Sequence, residues 1–185
     1  MLRIYGVPIG AQSGHDTAHG LLEYAYEQTI GGRLPHIHRG TWGKPFFLRS
    51  DVEFSLSHTK TMAFCAIGDC PVGVDAETIR PVRPRVPERT MNPAELDWIS
   101  AFEDRDTAFL RLWTAKEAWA KLTGRGLDGQ PRAIELVVGD SAVLGVQGAP
   151  AAFVWRCVAD ELVTVCTGEP VEPEWVILPQ LPSRP

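Results

Sequence analysis

The sequence predicts an α+β fold, with helices and strands grouped in separate runs. A helical stretch, His15 to Ile30, precedes three strand-like segments between Glu53 and Glu77. A Pro- and Arg-rich stretch, Ile79 to Arg89, then interrupts the chain. Beyond it lie helical segments between Asn92 and Thr123, followed by three more strand-like runs. This order, a helix then strands before the Pro/Arg stretch and helices then strands after it, agrees in outline with an α+β fold.

The composition sets the bounds. At 185 residues the chain forms one large domain or two small ones. Hydrophobic residues at 44% and charged residues at 22% are ordinary for a soluble globular protein, and a core of this size needs no disulfides. A net charge of −5 argues against a nucleic-acid binder but leaves room for a local basic pocket. Cys65, Cys70, Cys157 and Cys166 form no C-x-x-C pair and read as small apolar core residues in a reducing compartment. Gly6, Pro8 and Gly10 break any signal-peptide pattern, and the longest uncharged run, Ser141 to Trp155, is too short and too Gly-rich to span a bilayer. The expected location is the cytoplasm.

In chain order, Met1 to Ile9 alternates weakly as a strand. Leu21, Leu22, Ala25 and Tyr26 recur at helical spacing, and Gly31-Gly32 ends that helix. Pro35 to Pro45 is a donor-rich loop or strand edge. From Arg33 to Lys60 five basic residues face two acidic ones, which fits either a solvated basic surface or a pocket for a polyanion. Glu53–His58, Ala63–Ile67 and Pro71–Glu77 read as adjacent strands joined by short turns. The prolines at 81, 84 and 87 argue against regular structure there, making an exposed basic linker. Asn92-Pro93-Ala94-Glu95 carries the cap, first-position proline and capping-box acid of a helix start. Arg105 to Thr123 is the longest helix, closed by Gly124. Ile134–Val138, Ala151–Val158 and Leu162–Thr167 follow as strands, and the Pro-rich tail from Pro170 to Pro185 is expected to wrap the surface or fray.

Two elements could carry chemistry. Asp75 and Glu77 are two apart, so a strand places both on one face, where a hard divalent cation would offset their repulsion. D-x-E alone is common and equally fits ordinary surface acids. Glu117 and Lys121 are four apart on the long helix, about 40° from each other. They could form a simple surface ion pair. Against that, Leu110 and Trp113 lie on or beside their face, and Leu112, Ala115, Trp119 and Leu122 make the opposite face apolar too. A helix apolar nearly all round is largely buried, so its charges line a cleft. Ser57 and His58 point to opposite faces of a strand and therefore act separately, with His58 either a phosphate donor or a structural histidine.

Taken together these segments resemble the 4′-phosphopantetheinyl transferases, in the broad-range branch that activates nonribosomal peptide and polyketide synthases. The matching pieces, in family order, are Trp42-Gly43-Lys44-Pro45, Phe54-Ser55-Leu56-Ser57-His58, Pro71 to Glu77, Trp113-Thr114-Ala115-Lys116-Glu117-Ala118 and Lys121 to Leu127. The resemblance covers roughly residues 15 to 138. It implies two similar halves related by a pseudo-twofold axis, each an antiparallel sheet with a long helix. Residues 1–72 would form the half on the coenzyme A side. Residues 73–185 would carry the metal-binding strand and the catalytic helix.

The implied reaction moves the phosphopantetheine arm of coenzyme A to a serine of an acyl- or peptidyl-carrier protein, releasing 3′,5′-ADP. By the same resemblance Asp75, Glu77 and Glu117 would hold Mg²⁺, or Mn²⁺ in its place, and Glu117 would take the serine proton. Lys121 and His58 would bind phosphate oxygens, Ser57 would add a hydrogen bond, and Gly43-Lys44-Pro45 would cradle the adenosine and its 3′-phosphate. The chain would act as a monomer, with no nucleic-acid or membrane partner. It departs from the family pattern at Ser55, where Asn is usual, and at His19-Gly20, where His-Arg is often found. Arg3 is the only Lys or Arg before Arg33, so the 3′-phosphate would rest on Lys44, Arg39 or a histidine such as His38. Two rivals are a Mg²⁺ enzyme acting on another nucleotide diphosphate and a relative that docks carrier proteins without transfer.

Overall fold

The computed structural model describes residues 1–182. In chain order the elements are β1 (Leu2–Pro8), α1 (Gly14–Thr29), β2 (Ile37–Arg39), β3 (Pro45–Phe47), β4 (Glu53–His58), β5 (Met62–Gly68), β6 (Val72–Thr78), α2 (Val86–Thr90), α3 (Pro93–Ser100), α4 (Arg105–Thr123), β7 (Leu136–Val138), β8 (Val143–Val146), β9 (Ala152–Val158), β10 (Glu161–Thr167) and β11 (Glu174–Ile177). The fold is α+β. One sheet runs β11-β1-β5-β4 and a second runs β6-β10-β9, with β2-β3 and β7-β8 as separate hairpins. All pairings are antiparallel except β1 with β11. No helix among the described residues is long and apolar enough to cross a membrane.

Strand alternation builds four layers. Leu2, Ile4, Met62, Phe64 and Ala66 of the first sheet meet Val72, Val74, Ala76, Val163 and Val165 of the second. The intervening residues Tyr5, Val7, Ala63, Cys65 and Ile67 turn the other way, onto Ala18, Leu21, Leu22 and Ala25 of α1. This explains why β5 reads as an unbroken apolar run: both of its faces are covered. On the far side of the second sheet lies α4, backed by α3 and β7-β8 through Trp98, Ile99, Leu112, Leu136 and Val146. The order is therefore helix, sheet, sheet, helix.

Capping places the helices as their sequences indicate. The Asn92 side chain accepts from the Glu95 N–H at 2.9 Å, and Glu95 Oε2 accepts from the Asn92 N–H at 2.9 Å. Glu95 Oε2 also accepts from Lys116 Nζ at 2.7 Å, with both side chains fully buried. Leu136 N–H donates to Glu95 Oε1 at 3.1 Å, so one acid ties α3, α4 and β7 together. Burial holds the Lys116 ammonium below its usual pKa, against the pull of Glu95. Lys116 is thus a core strut, not a site residue.

Four expectations need correction. The strand Val72–Thr78 does not extend the β4-β5 ladder; it pairs over seven residues with β10, from Glu161↔Thr78 to Thr167↔Val72. That pairing unites residues 83 to 95 apart in the chain, which short turn signals cannot reveal. The Ile79–Arg89 stretch is only partly irregular, because Val86–Thr90 forms a short helix whose proline sits in the first turn, where its missing N–H costs nothing. The tail contributes β11, parallel to β1 from Arg3↔Glu174 to Gly6↔Ile177 and pinned by an Arg3–Glu174 ion pair at 2.7 Å; it covers what would otherwise be an open sheet edge. The part of that tail expectation concerning residues 183–185 lies outside the described residues. Of the four free cysteines, Cys65 and Cys166 are core residues, but Cys157 is exposed on β9 and Cys70 is half-buried.

Gly73 fixes the spacing between β6 and α4. A Cβ built there would lie 1.9 Å from the Ala118 carbonyl oxygen and 2.6 Å from the Leu122 nitrogen, both backbone atoms that cannot move aside. Gly73→Ala should therefore push the helix off the strand and cost about 3 kcal/mol, an overpacking penalty at the upper end of the usual range. Urea unfolding measures it; a variant as stable as the parent would contradict the close approach.

Candidate functional site

The site forms where β4 meets the free edge of β6. These strands belong to different sheets, and serine hydroxyls stand in for a ladder between them. The Val74 N–H donates to Ser55 Oγ at 3.0 Å and the Ala76 N–H to Ser57 Oγ at 3.2 Å. Ser57 Oγ itself donates to Asp75 Oδ1 at 3.1 Å. Alternation explains the pattern: Ser55 and Ser57 are on one face of β4 and point at β6, while His58 turns outward and is exposed. Every other residue of β6, Gly73, Asp75 and Glu77, faces α4, since Val72, Val74 and Ala76 fill the sheet interface.

Lys121 closes the seam from α4. Its Nζ lies 2.8 Å from Asp75 Oδ1, 2.9 Å from the Val74 oxygen, 3.0 Å from Ser57 Oγ and 3.2 Å from the Leu56 oxygen. An ammonium has three protons, so these four acceptors saturate it. Asp75 is the more buried member of the pair, with 10% of its side chain exposed against 31% for Lys121.

Glu77 accepts from Trp113 Nε1 at 3.3 Å and from the Arg80 guanidinium at 3.3 Å. Burial, then the nearby Asp75 charge, raises the Glu77 pKa above the usual carboxylate value, with Arg80 and Trp113 pulling it back. Glu117 is raised as well, first by burial and then by Asp75, against a partial offset from Lys121. Two carboxylates are thus held where their charged forms are disfavoured. Asp75, Glu77, Glu117, Lys121, Ser57, His58 and Trp113 line one polar cavity of about 340 Å³.

A second, mainly apolar cavity of about 250 Å³ shares the wall formed by Leu56, Glu117 and Lys121. Its other side is Trp42, Gly43, Lys44 and Pro45, with Phe54, Ala120 and Gly124 behind. Gly43 has φ 85°, a left-handed turn that suits glycine, and closes the β2-β3 hairpin through its N–H to the Gly40 oxygen at 2.9 Å. Lys44 reaches across to the C-terminus of α4, where Nζ donates to the Leu122 oxygen at 2.8 Å. Burial lowers its pKa. A larger concavity of about 920 Å³, between the loop after β1, α1 and residues 180–182, contains none of the predicted site residues.

The structure therefore brings the predicted residues to two adjoining cavities. It does not draw the three carboxylates to one point: Asp75 turns to Lys121, and among the described residues no three His, Cys, Asp or Glu are gathered closely enough to hold a metal ion. The expected 3′-phosphate donors have contacts of their own within the protein. Lys44 is bound to α4, Arg39 donates to the Gly43 oxygen at 3.2 Å, and His38 packs against Phe46 and His36. Sequence reasoning missed Trp113 as the donor to Glu77, although its spacing of four from Glu117 on one helix carried the signal. It also missed Gly73 as the point of closest approach, for which the sequence carries only a glycine inside a strand.

A profile of the 4′-phosphopantetheinyl transferase superfamily matches residues 71–166, which include β6, α4 and all but the last residue of β10. The chain belongs to that superfamily. It is similar to the 4′-phosphopantetheinyl transferase gsp of Aneurinibacillus migulanus, 33% identical over 91 residues, covering 48% of this chain and 38% of the other. The 4′-phosphopantetheinyl transferase HetI of a Nostoc species is 31% identical over 128 residues, covering 64% and 54%. The chain thus spans well under two thirds of the length of these relatives. A holo-[acyl-carrier-protein] synthase structure from Thermotoga maritima aligns over 52% of this chain and 61% of its own, with 19% identity and a TM-score of 0.46.

The raised Glu117 pKa has a signed consequence. A carboxyl group whose folded pKa lies above its unfolded value supports the fold below the unfolded pKa, and that support is lost as pH rises through the folded value. At neutral pH the Glu117 carboxylate therefore opposes folding, and Glu117→Gln should raise Tm there. The gain should shrink as the solution is acidified toward the range where the parent glutamate protonates. Thermal melts at several pH values measure this; a Gln variant less stable than the parent at neutral pH would refute it.

Proposed function

We propose that this protein transfers the 4′-phosphopantetheine arm of coenzyme A to a serine hydroxyl of an acyl- or peptidyl-carrier protein, releasing 3′,5′-ADP. The observation that carries the reading is the shared wall of the two cavities. Glu117 and Lys121 stand between a polar cavity of carboxylates and an apolar one floored by Gly43-Lys44-Pro45. A diphosphate with an adenosine on one side fits that division. The broad-range branch, a cytoplasmic location and a monomeric state belong to the same reading. So does a division at residue 72/73, with β11 reaching back to the first sheet.

In this reading the serine Oγ forms its bond to phosphorus as the pyrophosphate P–O bond to 3′,5′-ADP breaks. Glu117 takes the hydroxyl proton. Its carboxylate accepts no hydrogen bond within the described residues, and its raised pKa makes it a stronger base than an ordinary glutamate. Lys121 exchanges one of its four acceptors for a phosphate oxygen and offsets charge on the leaving group. His58, exposed on the cavity rim, donates to another, and Ser57 holds Asp75 in register. Gly43-Lys44-Pro45 seats the adenosine.

The donor set suits a hard cation. Asp75, Glu77 and Glu117 are oxygen donors around one cavity, and two of them carry charge that their surroundings disfavour. Mg²⁺, or Mn²⁺ in its place, would be held by Glu77 and Glu117, and by Asp75 once Lys121 has exchanged it for a phosphate oxygen, and would neutralise the pyrophosphate. Phosphoryl transfer needs that neutralisation and positioning more than covalent help.

Arg80, Arg83, Arg85 and Arg89 are exposed, and Arg80 is bonded to Glu77 of the polar cavity. Carrier proteins are typically acidic helical bundles, and this strip suits their approach. Incubation with coenzyme A, Mg²⁺ and a panel of apo acyl- and peptidyl-carrier proteins should add one phosphopantetheine mass to at least one carrier. No mass gain on any of them sinks the reading. Glu117→Gln should lower kcat about 10²–10⁴-fold, as expected for loss of a general base; full activity in that variant would remove Glu117 from the role. Reversing charge at Arg83 and Arg85 should raise the KM for carrier and leave that for coenzyme A unchanged, and an unaltered carrier KM would exclude the strip as the docking surface.

A further inference from the structure

Glu161 opens β10 and is 1% exposed, yet it forms no ion pair among the described residues. Its Oε1 accepts from Thr59 Oγ1 at 3.0 Å and from Thr61 Oγ1. Its Oε2 is buried with no partner. A buried carboxylate without a cation is costly, and one left half satisfied is more so. Residues that break a local rule without a gain in stability are expected where function needs them.

The hydroxyls it grips belong to the turn between β4 and β5, on the other sheet. Thr59 Oγ1 accepts from the N–H groups of Thr61 and Met62 at 3.1 Å each, so the turn is closed around the same hydroxyl that Glu161 binds. His58 is the residue immediately before. Its Nδ1 lies 3.2 Å from the Thr59 carbonyl oxygen, which makes Nδ1–H the donor there and turns Nε2 away from that carbonyl. The ring lies against the start of α1, where a Cβ on Gly14 would fall 2.6 Å from Nδ1. The serine seam joins β4 to β6 along its length, and Glu161 joins the turn beyond it to β10.

We propose that Glu161 is a positioning residue: by clamping the Thr59–Thr61 turn onto the second sheet, it holds the His58 ring at the rim of the polar cavity. The clamp is a statement about His58. Its consequence for coenzyme A rests on the function proposed above.

Two readouts test it in the full chain. The first is the ring NMR signals of His58, assigned by their loss in His58→Gln. The second is the KM for coenzyme A at saturating carrier. Glu161→Ala and Thr61→Val should each shift the His58 signals. They should raise the KM for coenzyme A on the order of tenfold while kcat stays within about twofold, the scale at which partners that orient a binding group act. Glu161→Gln keeps an acceptor oxygen and should stay close to the parent. In a His58→Gln background, Glu161→Ala should add no further rise in KM, because both changes act through one ring. Thr61→Val leaves the buried carboxylate in place, so the clamp stays testable if Glu161→Ala does not fold. Unchanged His58 signals in a folded Thr61→Val or Glu161→Ala protein overturn the proposal, as does a KM rise that persists in full without His58. A parent protein that modifies no carrier defeats the transferase reading, and the ring signals then decide the clamp by themselves.

Discussion

The site depends on how closely α4 lies on β6. Without a side chain at Gly73 the helix backbone reaches the strand backbone at Ala118 and Leu122, and the adjacent Glu117 and Lys121 share one cavity with Asp75 and Glu77. At an ordinary helix–sheet distance the Lys121 ammonium would not span to Asp75, Ser57 and two strand carbonyls together. That contact also crosses between the two sheets, because Leu56 and Ser57 belong to β4. One lysine and two serines therefore perform, at this seam, what a continuous β ladder performs elsewhere.

Charge is distributed over α4 by the same geometry. Lys116 and Lys121 are five residues apart and face different environments. Lys116 is sealed with Glu95 and holds α3, α4 and β7 in place. Lys121 is partly open and borders two cavities. Glu117 lies between them in sequence, and burial together with Asp75 keeps its carboxylate under electrostatic strain. A group so placed gains from a proton, from a cation or from a substrate that brings one, and this is how stability is traded for reactivity at a site.

Much of this was legible in the residues. The α4 boundaries, the α3 capping box and the two-residue spacing of Asp75 and Glu77 are local signals with local causes, and each is found as read. The pairing of β6 with β10 and of β11 with β1 was not legible, because ladder partners far apart in sequence are chosen by which apolar faces remain to be covered. The helix Val86–Thr90 was missed for a smaller reason: prolines bar the interior of a helix but not its first turn. Glu161 shows no signal at all in sequence, since nothing near it in the chain hints at Thr59 and Thr61.

The Asp75–Glu77 strand and the Glu117–Lys121 helix were determined by the sequence itself, because period 2 and period 3.6 decide which side chains share a face. Their meeting across β6 was decided only by tertiary structure. There a glycine admits the helix, serines bridge two sheets, and a saturated lysine pairs with Asp75. Spacing can say that three acids face one cleft. Only packing sets the distances among them, since those distances follow from backbone approach and from which partner each charge finds first.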